Sequence, residues 1–97
     1  MYKILFFLKK EHDDSVLDHF KNVTLKLLSD IAGTEIRLGK IESNLLSEVK
    51  YSHYCEIIAR SKEEMDRLMN TKAGKELNKD LMEFHNFITT YSIDYSN

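Results

Sequence analysis

Ninety-seven residues, 42% hydrophobic and 31% charged, are the length and composition of one small globular domain, residues 1–97, that buries a core with little stability in reserve. A net charge of −2 argues against a nucleic-acid partner, which asks for a clustered basic surface, and no apolar run approaches the ~20 residues of a membrane span. A single cysteine, Cys55, excludes an intramolecular disulfide and a C-x-x-C metal or redox pair.

Residues 2–8 are an apolar run closed by Lys9 and Lys10. Ile4, Phe6 and Leu8 point one way and Leu5 and Phe7 the other, the pattern of a central strand. The start, MYKILFF, has no basic leader before the run and no small-residue cleavage pattern after it, so it reads as a strand and not a signal peptide, and the cytoplasm is the expected compartment. One of Asp13, Asp14 or Ser15 caps a helix on which Val16, Phe20, Val23, Leu27 and Ile31 recur at helical spacing. Gly33 closes it, because glycine tolerates the left-handed conformation at helix ends.

Residues 34–42 read as a second strand, with Ile36 and Leu38 on one face. Ile41 is out of phase with them, which puts a bulge at Gly39 and Lys40. Residues 43–50 form a loop, with a helical turn expected at Leu45 and Leu46. Residues 51–60 alternate as a third strand: Tyr51, His53, Cys55, Ile57 and Ala59 against Ser52, Tyr54, Glu56, Ile58 and Arg60. Ser61 and Glu64 have capping-box spacing, with Glu64 expected to reach back to the Ser61 N–H. Asn70 and Thr71 interrupt the helix that follows, Thr71 serves as a new N-cap, and Ala73, Leu77, Leu81 and Phe84 supply the next apolar face. Residues 87–95 alternate as a last strand, with Tyr91 and Tyr95 on one side.

The order βαββαβ is that of a ferredoxin-like α+β sandwich: a four-stranded antiparallel sheet with two helices on one face. The other face then carries phenylalanine or leucine of the first strand and Tyr54 or Ile58 of the third, too apolar to meet water. A second copy packed sheet against sheet as a two-fold homodimer is the expected cover.

The motifs DHF at 18–20, CEIIARSKEE at 55–64 and DLMEF at 80–84, in this order of elements, resemble EthD-like members of the dimeric α+β barrel superfamily over nearly the whole chain. Relatives in that superfamily include stress-responsive barrels, cofactor-free monooxygenases and muconolactone isomerases. The resemblance matches Phe20 to the helix-1 aromatic, Glu56, Ile57, Ile58 and Ser61 to the third strand and its cap, and Gly74, Asp80 and Phe84 to the broken helix. It implies a homodimeric barrel holding a small apolar or aromatic molecule, with proton-transfer or cofactor-free oxidative chemistry, or a non-enzymatic stress-related binding role. One departure stands out. The family's usual histidine, one turn beyond the helix-1 aromatic, is Thr24 here, and no proline follows. His19 is the nearest imidazole in sequence, about a third of a turn away around the helix, and is the second catalytic candidate after Glu56.

Glu56 is expected on the barrel side, partly desolvated and suited to proton transfer; its structural alternative is a pair with Arg37, Arg60 or a partner-chain lysine. Tyr54, Ile58 and Phe20 are the expected ligand contacts, with interface packing the alternative for Tyr54. The four histidines, His12, His19, His53 and His85, show no metal-ligand spacing, so neither metal nor cofactor is expected. His53 and Cys55 read as a satisfied core histidine and an inert buried thiol. No G-x-S-x-G, G-x-G-x-x-G or P-loop motif occurs.

Overall fold

The structure, a computed structural model, describes residues 1–95. Strand β1 (Tyr2–Lys9) lies between β3 (Tyr51–Ala59) and β4 (Ile88–Asp94), and β2 (Gly39–Lys40) adds the far edge, giving the antiparallel order β2-β3-β1-β4. The central place of β1 explains why it is apolar on both sides. Phe6 and Leu8 face the helices and are fully buried. Lys3, Leu5 and Phe7 face away, opposite Ile58, Glu56 and Tyr54 on β3 and Ile93, Tyr91 and Thr89 on β4.

The first helical stretch runs as α1 (Asp14–His19), a π-helical turn (Phe20–Thr24) and α2 (Leu25–Ala32). Asp13 is its N-cap, its carboxylate accepting from the Val16 N–H at 3.2 Å, and Gly33 ends it at φ 70°. Helix α3 (Lys62–Met69) starts at Ser61, whose hydroxyl accepts from the Glu64 N–H at 3.1 Å. The reciprocal half of the expected capping box differs. Glu64 accepts from the Arg60 N–H at 3.3 Å and the Arg60 guanidinium at 2.8 Å instead of from Ser61. Thr71 caps α4 (Lys72–Glu83) by accepting from the Gly74 N–H at 3.2 Å. A Cβ on Gly74 would lie 2.0 Å from the Met69 carbonyl oxygen, so the tight α3–α4 corner closes only over glycine. Phe20, Leu28, Met65 and Leu77 seat the helices on Phe6, Leu8 and Ile57, and this buried cluster is the core.

Three local expectations are corrected. Only Gly39 and Lys40 of residues 34–42 pair as a strand, because the Ile36 N–H is satisfied by the Ser29 hydroxyl (3.0 Å) while Ile36 and Leu38 pack on the core from a loop. The bulge lies in β3 and not at Gly39–Lys40: Leu8 opposes His53 while Lys9 opposes Tyr51, so Ser52 is the extra residue and Tyr51 turns to the Phe7 side. At 43–50 an Asx turn replaces the helical turn, with the Asn44 side-chain oxygen accepting from the N–H groups of Leu46 (2.8 Å) and Ser47 (3.2 Å). Among the described residues no helix is long and apolar enough to cross a membrane.

Candidate functional site

The sheet face opposite the helices carries a cluster of aromatic rings. Phe7 is its centre: its ring lies 5.0 Å from that of Tyr51, 5.0 Å from Tyr54 and 6.1 Å from Tyr91. Register brings them together, since Tyr54 opposes Phe7 directly, Tyr91 opposes the neighbouring Leu5, and the Ser52 bulge rotates Tyr51 inward. Ile58, Tyr91 and Tyr95 complete the face and remain about half exposed, at 52%, 53% and 46%.

One polar group sits in this apolar setting. The Glu56 carboxylate accepts from the Tyr54 hydroxyl at 2.5 Å and faces the Lys3 ammonium at 3.5 Å. Lys3 in turn lies 5.5 Å from the centre of the Tyr95 ring. The expected alternatives for Glu56 are corrected within the chain: its cation is Lys3 on the neighbouring strand, while Arg60 is engaged by Glu64 and Arg37 lies exposed in the loop before β2. Burial, and then the hydrogen bond and charge of Glu56, raise the Tyr54 phenol above its ordinary value. Tyr54 is therefore a neutral hydrogen-bond donor and not a phenolate. Donor, carboxylate and ammonium thus stand side by side, with aromatic rings around them. That arrangement can orient a polar substituent on an apolar molecule or carry a proton at the Glu56 oxygens.

Tyr54, Glu56 and Ile58 share this face. Phe20 and His19 do not: Phe20 is 1% exposed in the core on the other side of the sheet. His19 hydrogen-bonds through Nε2 to the Asp80 carboxylate on α4 and stacks on Phe84, with ring centroids 4.0 Å apart. Thr24, fully buried, donates its hydroxyl to the other Asp80 oxygen at 2.5 Å. Sequence reasoning named Asp80 and Thr24 only as family positions and missed that Asp80 joins His19 to Thr24. The π-helical turn is the cause. Five residues apart on an α-helix, His19 and Thr24 would diverge by roughly 140°; the wider turn brings them onto one side, facing α4.

Cys55 is 2% exposed on the helix side, and burial, followed by the Glu56 charge, pushes its thiol up to about 12. Burial lowers the proton affinity of His53, with Lys21, His12 and Lys40 adding to the effect. Its Nδ1 is bonded to the Ser52 hydroxyl and its ring is half-buried, between Leu8 on β1 and Lys40 on β2, so it is not part of the core.

The whole chain superposes on an ethyl tert-butyl ether D (EthD) family protein from Bacillus halodurans with a TM-score of 0.81, at 24% sequence identity over 99% of both chains. A protein from Arabidopsis thaliana matches with a TM-score of 0.61 at 17% identity, over 99% of this chain and 93% of that one. No family model and no curated protein matches the sequence. The EthD-like fold expected from the sequence is therefore borne out in three dimensions, as a likeness of fold.

Proposed function

We propose that the chain forms a two-fold homodimer through its open sheet face and holds a small apolar or aromatic molecule against Phe7, Tyr54 and Ile58. The observation that carries this reading is the Tyr54–Glu56–Lys3 group set within an uncovered aromatic sheet face. Half-exposed Ile58, Tyr91 and Tyr95 cluster on one side of one sheet, and a second copy presents the same face for pairing. Tyr54 orients the ligand by its hydroxyl, and Glu56 moves a proton to or from it. The filled layer between sheet and helices supports the open face as the ligand's place, since Phe6, Phe20 and Ile57 occupy that layer.

Native mass spectrometry without added ligand tests the assembly. The expected mass is twice the 11.4 kDa of the chain, with any co-purified molecule adding to it. Ile58→Asp places a charge on this face and is expected to give a folded monomer; a wild-type monomer overturns the reading. Glu56→Gln then separates the two roles on any bound molecule identified this way. Loss of turnover with the dimer intact supports proton transfer, and unchanged ligand binding without any turnover in either protein supports a binding role.

A further inference from the structure

Away from the open sheet face, two imidazoles meet on one hydroxyl. The β3 bulge leaves Ser52 unpaired with β1, and its oxygen lies 2.8 Å from His53 Nδ1 and 3.2 Å from His12 Nε2. The hydrogen bonds can be oriented. His12 Nδ1 is 3.0 Å from the Asp13 carbonyl, which only accepts, so Nδ1 holds the proton and Nε2 of the neutral ring is an acceptor. Ser52 therefore donates to His12, and its oxygen accepts from the N–H at His53 Nδ1. The lone pair of His53 Nε2 ends the chain, with no hydrogen-bond partner among the described residues.

The surroundings are cationic. Lys40 is directly opposite His53 across the β2–β3 pair, and Lys21 on the π-helical turn also acts on the ring. Among the described residues neither lysine has an ion-pair partner. The acids near this edge are Asp13 and Glu42. Asp13 is engaged at the helix cap by the Ser15 hydroxyl (2.5 Å) and the Val16 N–H (3.2 Å). Glu42 lines, with Lys10, Lys40, Tyr51 and Ser52, a cleft of about 340 Å³ beside the cluster. Among the described residues no group of three or more histidine, cysteine or carboxylate side chains gathers to hold a metal, and two lysines repel one. An anion fits where a cation does not.

We propose that His53, held by the Ser52–His12 hydrogen bonds, binds a small oxyanion, a phosphate or carboxylate group, together with Lys21 and Lys40, and takes up a proton with it. The proton goes to His53 Nε2 and converts a bare lone pair into an N–H donor aimed at the anion. Burial, followed by Lys21, His12 and Lys40, disfavours a proton on that ring without the anion, and the anion's charge opposes their effect. His53 faces the helix side of the sheet, so the site stands apart from the proposed dimer face.

The test is calorimetric titration of the full chain with inorganic phosphate and with acetate, at about pH 6 and about pH 8, at constant ionic strength and in buffers of different ionisation heat. Acetate stays ionised at both values, so its pH dependence reports the protein. Binding about tenfold tighter at the lower pH is expected for acetate, with net proton uptake and shifts of the His12 and His53 imidazole resonances. His53→Asn is expected to abolish the pH dependence. Lys40→Ala, at an exposed position, is expected to weaken binding several-fold and leave the pH dependence in place. Binding of one anion and not the other supports the site and identifies its source. Equal affinity at both pH values, unmoved imidazole resonances or unchanged binding by His53→Asn overturns it.

Discussion

His19 on α1 and Asp80 on α4, 61 residues apart in sequence, are hydrogen-bonded across the packed helices. Asp80 is 7% exposed and is satisfied from both sides, by the His19 imidazole and the Thr24 hydroxyl. A carboxylate removed from water this far is tolerable only with such donors. The contact clamps the first helical stretch to the last helix, and His19 stacking on Phe84 extends it.

Asp80→Ala strands a buried hydroxyl and removes the clamp, so a loss on the order of 3 kcal/mol is expected in urea unfolding. Thr24→Val keeps the volume and removes one donor, at a cost of about 1 kcal/mol. Equal losses for the two substitutions would show that Asp80 does not organise the cluster.

Gly74→Ala sets two effects against each other. Alanine in a helix is ordinarily favoured over glycine by about 1 kcal/mol. Here the new Cβ meets the Met69 carbonyl oxygen at 2.0 Å, and the obstacle is backbone, with no flexible side chain to yield. The clash dominates, and a net loss on the order of 2 kcal/mol is expected, lowering Tm by roughly 10 °C. A rise in Tm would mean that the α3–α4 corner opens freely.

Cys55 is buried and its thiol is pushed up to about 12, so almost no thiolate exists near neutral pH. Aromatic disulfide reagents are expected to leave the native protein unmodified and to label it stoichiometrically in denaturant. Rapid labelling of the folded chain would contradict this placement.

His53 binds protons less readily in the fold than its ordinary value of 6.5, chiefly because of burial. The unfolded chain therefore holds more protons at this site between 6.5 and the lower folded value. Its contribution to stability is fully present above 6.5 and is lost as pH falls through that window. In buffers free of phosphate and carboxylate, His53→Gln is expected to flatten the fall in Tm across it. An unchanged slope would place the titration elsewhere.

Patterning made much of this fold legible. Apolar alternation located β1, β3 and β4, and the helix signals at Asp13, Gly33, Ser61 and Thr71 fall where their side chains or backbone act. These are local effects, decided within a few residues. The failures share a different cause. The Ser52 bulge depends on the register of β3 against β1, and the short β2 depends on a hydroxyl from α2. Neither is written in the segment it alters.

The candidate sites divide in the same way. Strand alternation by itself determined that Tyr54, Glu56 and Ile58 share a face. Only the tertiary structure decided that Lys3 is the cation beside Glu56, that a π-helical turn aims both His19 and Thr24 at Asp80, and that Ser52 joins His12 to His53. Side-chain periodicity follows from backbone geometry a few residues at a time. Which residues meet across strands and helices depends on register and packing that a single segment does not contain.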